Sequence, residues 1–285
     1  MSIRTSISEI FTSRTLGRVG LQSLAVAAYA LLPLWLELRS ADNRFIDIPS
    51  NIHAALGIVL GWLLSFRSNV SYARWWEART LWGSLVNASR NLAIKVTDLV
   101  KAGDAELAKC RQGIVAFPYA LRDHLREGAS LQRLAGFEKS PDKPSHVPSY
   151  LITRMYEEIG AWKKSGAIDG HELQVLDEEA RKFLDICGGC ERIRNTRLIQ
   201  SYRAFTRQCV FLYLATFPWG MVHDFSWWTI PLTAIIAYFM IGLETVAEHV
   251  EEPFGRDEDD LDLDALCMTI ETTVNEVFAR RADKT

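Results

Sequence analysis

The chain has 285 residues, of which 48% are hydrophobic and 24% charged, and its formal net charge is −3 at pH 7. So small a net charge, with no basic stripe between aromatic residues, argues against a nucleic-acid partner. These averages would suit a soluble protein, but they hide a strong segregation of apolar from charged segments.

Four stretches of the chain contain no Asp, Glu, Lys or Arg: residues 21–36, 52–66, 208–222 and 225–243. Each is slightly shorter than the ~20 apolar residues that a helix needs to cross a bilayer. Each also has Trp, Tyr or Arg beside it, residues that are typical of membrane interfaces. We therefore predict four transmembrane helices. The first is not predicted to be a cleaved signal peptide, because charged, helix-like sequence precedes it and no small-x-small cleavage site is present.

The distribution of Lys and Arg predicts the orientation in the membrane. Basic residues lie before the first span, after the second and before the third, whereas the turn between the last two spans has none. The positive-inside rule then places both termini and the long middle segment in the cytoplasm, with the protein in the cytoplasmic (inner) membrane. The mixed-charge loop 39–47 is compatible with this. The predicted division is a cytosolic segment 1–20, transmembrane helices one and two in 21–66, a cytosolic helical region 67–203, transmembrane helices three and four in 204–247, and a cytosolic acidic turn with a C-terminal helix in 248–285.

The second span carries two neighbouring patterns at helical spacing. Its small residues recur every four positions and predict a face for close helix packing in lipid; they are Gly57, Gly61 and Ser65. One position further on, an apolar and aromatic stripe has the same spacing and consists of Ile58, Trp62 and Phe66. In a monomer this stripe would face lipid. In a ring of subunits it would line a narrow, dry constriction of the kind that gates channels by dewetting.

The Arg74-Trp75-Trp76-Glu77 sequence follows this span. Paired Trp residues suit an interfacial aromatic belt, or they open a charged helix that runs to about Val100. Apolar residues at helical spacing predict further cytosolic helices at 106–125, 149–164, 170–187 and 264–280. Three prolines in 136–149 predict a loop. No segment alternates as a strand, so the predicted fold class is all-α.

Two motifs suggest chemistry. Cys187 and Cys190 have the CxxC spacing of a redox pair or half a zinc site, but no second CxxC or nearby His pair completes a site, which favours a structural role. The acidic run 251–264 suits the N-terminus of a helix, or a site for a hard cation, with Asp257 and Asp260 as weak calcium candidates. Its spacing does not match an EF-hand loop. No P-loop, GxSxG or dinucleotide fingerprint is present, so the sequence predicts no enzyme activity and no cofactor.

Together these features resemble the bestrophin family, most closely its bacterial branch. The resemblance rests on Arg74-Trp75-Trp76-Glu77, on 188–194 (Gly-Gly-Cys-Glu-Arg-Ile-Arg), on Ile230-Pro231-Leu232, and on Pro253-Phe254-Gly255 followed by acids. These motifs cover both halves of the chain in the same four-span order.

The resemblance implies a homopentameric ion channel with an axial pore, four transmembrane helices per subunit and a large cytosolic helical region. It places the pore neck at Ile58, Trp62 and Phe66, and by position it places a cytosolic aperture at Leu176. In animal members the acidic run forms a calcium clasp. This chain departs from that pattern, with His249 and Glu252 where the animal proteins have amides, so calcium gating is not predicted.

Three hypotheses therefore remain open. The first is a channel for monovalent ions, in which the indole N–H of Trp62 favours chloride, with sodium as the runner-up because the acidic run would concentrate cations. The second is a membrane-anchored scaffold or signalling subunit. The third is a membrane enzyme that uses the cysteine pair.

Overall fold

The structure is a computed structural model that describes residues 13–39 and 49–282. Within these ranges every regular element is helical, which confirms the predicted all-α class. Most of the segment 1–20 and of the loop 39–47 lies outside the described residues. The helices are α1 Arg14–Tyr29, α2 Leu31–Arg39, α3 Ser50–Leu99, α4 Asp104–Arg126, α5 Val147–Ser165, α6 Gly170–Asn195, α7 Gln200–Phe225, α8 Thr229–Glu251 and α9 Leu263–Ala282, with 3-10 turns at Leu131–Arg133 and Ser226–Trp228.

Three of the predicted cytosolic helices correspond to α4, α5 and α9. Each begins and ends within two residues of its predicted bounds. The fourth, α6, continues past its predicted end at Cys187 to Asn195. Its two internal glycines do not end the helix. A Cβ at Gly189 would lie 2.9 Å from Cδ1 of Leu81, so this glycine allows a close approach between α6 and α3.

The chain divides into two compact units. The first unit comprises Met1–Arg74 and Arg197–Glu251, and the second comprises Trp75–Thr196 and Glu252–Thr285. The helix α3 contributes its first half to the first unit and its second half to the second unit.

The first unit contains the apolar helices. In it α1 packs against α8, α7 packs against α8, and α2 packs against α7. Three helical segments of the described chain are long and apolar enough to cross a membrane: Thr15–Arg39, the early part of Ser50–Leu99, and Gln200–Glu251. The last comprises α7 and α8, joined by the turn Ser226–Trp228.

Two polar side chains in the apolar helices of this unit, Ser23 and Tyr29, find partners inside the protein. The Ser23 hydroxyl donates to the carbonyl of Val19 at 2.7 Å. The Tyr29 hydroxyl donates to the carbonyl of Ala215 at 2.9 Å and accepts from the indole N–H of Trp219 at 2.6 Å. Such pairing is required where no water is available to satisfy these groups.

The second unit has a conventional hydrophobic core. Trp82, Phe117 and Phe183 are fully buried in it, and the two phenylalanine rings meet edge to face with centroids 5.0 Å apart. Its helix ends are well satisfied. Asp169 and Glu172 form a capping box at the start of α6, and the guanidinium of Arg281 donates to the carbonyls of Thr97 and Val100 at the end of α3.

Candidate functional site

The predicted neck stripe lies on the exposed side of α3 in the first unit. Ile58, Trp62 and Phe66 have 76%, 79% and 58% of their surface exposed. Large apolar side chains this exposed must face lipid or another copy of the chain, because water does not favour them. The stripe therefore has the exposure that a pore-lining position requires.

The opposite side of the same helix segment is buried in the first unit. His53, Leu60, Leu64, Arg67 and Ser71 are each 5% exposed or less. Their spacing of seven, four, three and four residues is that of one helix face. Because this face is fixed, the direction in which the stripe points is fixed as well.

A cavity of about 750 Å³ borders the stripe in the first unit. Trp62 and Phe66 lie on one side of it, and Phe205 and Leu212 of α7 lie on the other. Almost all of its lining surface is apolar. Its chemistry suits an apolar side chain or a lipid tail.

The three small residues of α3 have different surroundings. A Cβ at Gly57 would lie 2.9 Å from the Tyr213 hydroxyl, so this glycine allows α7 of the same subunit to approach. The close helix contact at Gly57 is therefore with α7. A Cβ at Gly61 would meet nothing within 4 Å, and Ser65 is exposed. These two positions remain open for a neighbour.

A ladder of ion pairs follows directly after the neck stripe in the first unit. The guanidinium of Arg67 contacts both carboxylate oxygens of Glu244 on α8. Arg207 of α7 donates to Glu244 at 3.1 Å and to Glu248 at 2.5 Å. Arg203 continues the ladder at 4.0 Å from Glu248.

This ladder was not predicted from the sequence, in which Arg67 is only one of the basic residues that orient the span. A signal was present, because acidic residues at positions 244, 248 and 251 of the last span have helical spacing and so share one face. The pairing with Arg67 spans 177 positions of the chain and leaves no pattern in the sequence.

The structure contradicts the predicted aperture role of Leu176. Its side chain is completely buried in the hydrophobic core of the second unit, on the inner face of α6. A side chain with no exposed surface in its own subunit cannot line an aperture. Position along the chain identified an apolar residue of the right helix, but not one on the helix surface.

The acidic turn before α9 is held together by protein donors. The amide of Asp257 donates to Oδ2 of Asp260 at 2.6 Å, and the amide of Ala265 donates to Oδ1 of Asp262 at 2.9 Å. The Trp75 indole donates to the carbonyl of Asp259 at 3.0 Å, a contact within the second unit.

The last carboxylate of the turn is also engaged. Arg126 and Arg122 donate to Asp264 at 3.0 and 2.5 Å, and these hydrogen bonds hold the pKa of Asp264 below its usual range. Three carboxylates of the run, those of Asp260, Asp262 and Asp264, thus use acceptor oxygens within the protein, which leaves fewer for a cation that needs six or more oxygen ligands. We derive no role for calcium.

A second group of possible metal ligands lies in the second unit. His124 of α4, His146 before α5 and Glu191 of α6 bring their ligand atoms within 4.8 Å of one another. Both imidazole Nε2 atoms lie near the same Oε1 of Glu191, at 2.6 and 2.7 Å. Two His and one Glu would suit zinc.

The tautomer of His146 favours hydrogen bonding over metal binding among His124, His146 and Glu191. Its Nδ1 accepts from the amide of Ser149 at 3.1 Å and so caps α5. Its proton is therefore on Nε2 and is donated to Glu191, whereas a metal at Nε2 would need the proton on Nδ1. The three residues form a hydrogen-bonded network that ties α4, α5 and α6 together.

The cysteine pair has the environment of a structural motif. Cys187 and Cys190 are buried in the core of the second unit. Burial raises the pKa of Cys187 to about 12 and raises that of Cys190 further still. Thiols that stay protonated are neither nucleophiles nor metal ligands, so the enzyme hypothesis has no support from this pair.

Comparisons with known proteins agree with this geometry. The family model of the bacterial and fungal bestrophin proteins matches residues 2–276. A voltage-dependent anion channel-forming protein of Mesorhizobium japonicum is 34% identical over 240 residues, which are 80% of this chain and 75% of that protein. The protein YneE of Escherichia coli K12, which has the same description, is 31% identical over 254 residues, covering 87% of this chain and 81% of that protein.

Solved structures show the same fold. A bacterial bestrophin homologue from Klebsiella pneumoniae superimposes with a TM-score of 0.81 at 25% identity, covering 93% of this chain and 98% of that chain. A substituted form of a homologue from the same organism gives a TM-score of 0.86, also at 25% identity, covering 94% and 99%. The chain is therefore a member of the bacterial and fungal bestrophin family.

Proposed function

We propose that the chain forms an anion channel in the cytoplasmic membrane, with chloride as its permeant ion. The observation that carries this proposal is the exposed stripe of Ile58, Trp62 and Phe66 on a helix whose other face is fixed in the subunit. The relatives described as anion channel-forming proteins support anion conduction as the function.

The channel is a symmetric homopentamer in this proposal, with four transmembrane helices per subunit and both termini in the cytosol. The stripe of one subunit is exposed beside an apolar cavity of about 750 Å³. A neighbouring copy would cover apolar surface of this kind, and five copies around an axis would turn the five stripes inward.

An uncharged neck selects ions through dipoles rather than through fixed charges. Aromatic rings have electropositive edges, and the indole N–H of Trp62 is a donor that an anion accepts and a cation cannot use. The carboxylates of the acidic turn are engaged in hydrogen bonds and ion pairs, which weakens their attraction for cations. Both arguments favour chloride over sodium.

The first test is whether the purified protein assembles and conducts. Native mass spectrometry should give the mass of a pentamer, and chloride should leave loaded liposomes only when the protein is present. Phe66→Ala should change the chloride flux severalfold, because it widens the neck. Phe211→Ala is a matched control, since Phe211 is also an exposed aromatic residue of the first unit but lies outside the stripe.

Other outcomes would favour other functions. A well-folded pentamer without any ion flux would favour the scaffold hypothesis. A monomer or dimer would remove the basis for an axial pore. Equal fluxes in the wild type and in Phe66→Ala would show that the neck lies elsewhere.

A further inference from the structure

Among the Lys and Arg side chains whose burial the structure describes, Arg67 is the one with no exposed surface. It follows Phe66, the last residue of the neck stripe, and lies at the end of an apolar span. A buried charge in a membrane segment is costly and usually serves a function. The position of this charge next to the neck suggests that its function concerns the neck.

The guanidinium of Arg67 has one hydrogen-bond partner among the described residues, the carboxylate of Glu244. Its Nη1 contacts both oxygens of Glu244, while its Nε and Nη2 are buried without a hydrogen-bond partner among the described residues. Glu244 has a second partner in Arg207, at 3.1 Å. Loss of Glu244 would leave a buried cation unpaired, whereas loss of Arg67 would leave Glu244 paired.

The contact is suited to fixing the rotation of α3. Neighbouring residues of a helix move together, so a rotation that turns Phe66 must also move Arg67 relative to α8. The nearest buried neighbours on this face, Leu60 and Leu64, make apolar contacts, which have little directional preference. The polar contact of His53 with Thr216, at 3.2 Å, lies fourteen residues before Arg67. A charge-assisted hydrogen bond to both oxygens of one carboxylate is directional.

We infer that Arg67 and Glu244 form a positioning pair that fixes the rotation of the neck segment and thereby sets the balance between conducting and non-conducting arrangements of the pore. The inference rests on the proposed channel function and identifies the contact between Arg67 and Glu244 as a place where opening of the channel is controlled. Arg67 touches no permeant ion; it acts through the placement of Phe66 and Trp62.

The test uses Arg67→Met in the full-length protein. Met removes the charge but retains an unbranched apolar stem, and Glu244 keeps Arg207, so the variant should assemble like the wild type. Its open probability in single-channel recordings should differ at least fivefold from that of the wild type, in the direction that identifies which arrangement the pair favours. The amides of residues 56–66 should also exchange with deuterium faster, a readout that does not depend on ion flow.

Arg203→Gln is the matched control. Arg203 belongs to the same ladder, but it is more exposed and lies 3.8 Å from its nearest carboxylate, that of Glu251. Its loss should change the open probability less than twofold and leave the exchange of residues 56–66 unchanged.

Two results would overturn the inference. One is an assembled Arg67→Met protein with wild-type open probability and wild-type exchange. The other result concerns Arg67→Lys, which is used if Arg67→Met does not assemble. Arg67→Lys keeps the charge but loses the planar guanidinium, so its open probability should lie between those expected for the wild type and for Arg67→Met. Wild-type open probability in Arg67→Lys would contradict the role of the pair. A wild-type protein that carries no current would instead refute the proposed function, and the exchange comparison would then decide the positioning role alone.

Discussion

At the scale of single residues, two carboxylates of the second unit, Glu179 and Glu191, are each held by two partners. Glu179 accepts from Lys95 at 2.7 Å and from Lys182 at 2.9 Å. Glu191 accepts from two imidazoles in the same way. Two donors offset the cost of removing a carboxylate from water, which one donor rarely does.

Glu191 leads to a prediction about pH. Burial raises its pKa, but the hydrogen bonds from His146 and His124 outweigh burial and leave the pKa below its usual value of 4.5. A carboxyl group whose pKa is lower in the folded state than in the unfolded state stabilises the protein at pH values above its unfolded-state pKa. This stabilisation is lost as the pH falls through the pKa of the folded state. We expect Glu191→Gln to cost about 1–2 kcal/mol of stability at pH 7, and the difference from wild type to shrink below a pH of about 4.5.

Thermal unfolding in detergent at several pH values measures this difference. Glu178→Gln is the control, since Glu178 lies exposed on the same helix. A gap between wild type and Glu191→Gln that stays constant down to pH 3 would contradict the account of this network.

At the scale of elements, α3 shows how much a sequence pattern can predict. The period of four residues identified the stripe of Ile58, Trp62 and Phe66, because side chains at that spacing share a face whatever lies around them. Leu176 was instead assigned by its position along the chain, and position does not show which face of a helix is buried. The contact between Gly57 and Tyr213 was also beyond prediction, since it joins two helices far apart in the chain.

The two glycines of α3 predict different defects. Gly61→Leu should lower assembly into oligomers while leaving the subunit folded, because its side chain meets no atom of its own subunit. Gly57→Leu should destabilise the subunit itself, because it would push against Tyr213. Native mass spectrometry and thermal unfolding of both variants separate the two effects. A Gly61→Leu protein that assembles like wild type would argue against a subunit contact at this position.

The acidic turn before α9 is an element with a further prediction. Asp260 already accepts a hydrogen bond from the backbone, and Asp264 accepts from Arg122 and Arg126, so calcium at these oxygens would require breaking those bonds. Isothermal titration calorimetry should show no calcium binding in the micromolar range. Micromolar binding that is abolished by Asp257→Ala and Asp260→Ala would overturn this prediction.

At the scale of the whole molecule, the sequence predicted the family and the all-helical class because these depend on local features: apolar runs, basic flanks and short motifs. The contacts that hold the proposed pore in place depend on residues distant in the chain. Arg67 and Glu244 lie 177 positions apart, and only the folded structure brings them together. Family membership and the exposed neck stripe together make ion conduction the central claim.

The most direct test of that claim is the reversal potential of the purified channel in a planar bilayer with a gradient of sodium chloride. We predict a reversal near the chloride equilibrium potential for the wild type, and a shift toward zero for Trp62→Ile, because that variant lacks the indole donor. An unshifted Trp62→Ile would retain chloride as the permeant ion but remove Trp62 as the cause. A wild-type reversal near the sodium equilibrium potential would contradict the anion channel outright.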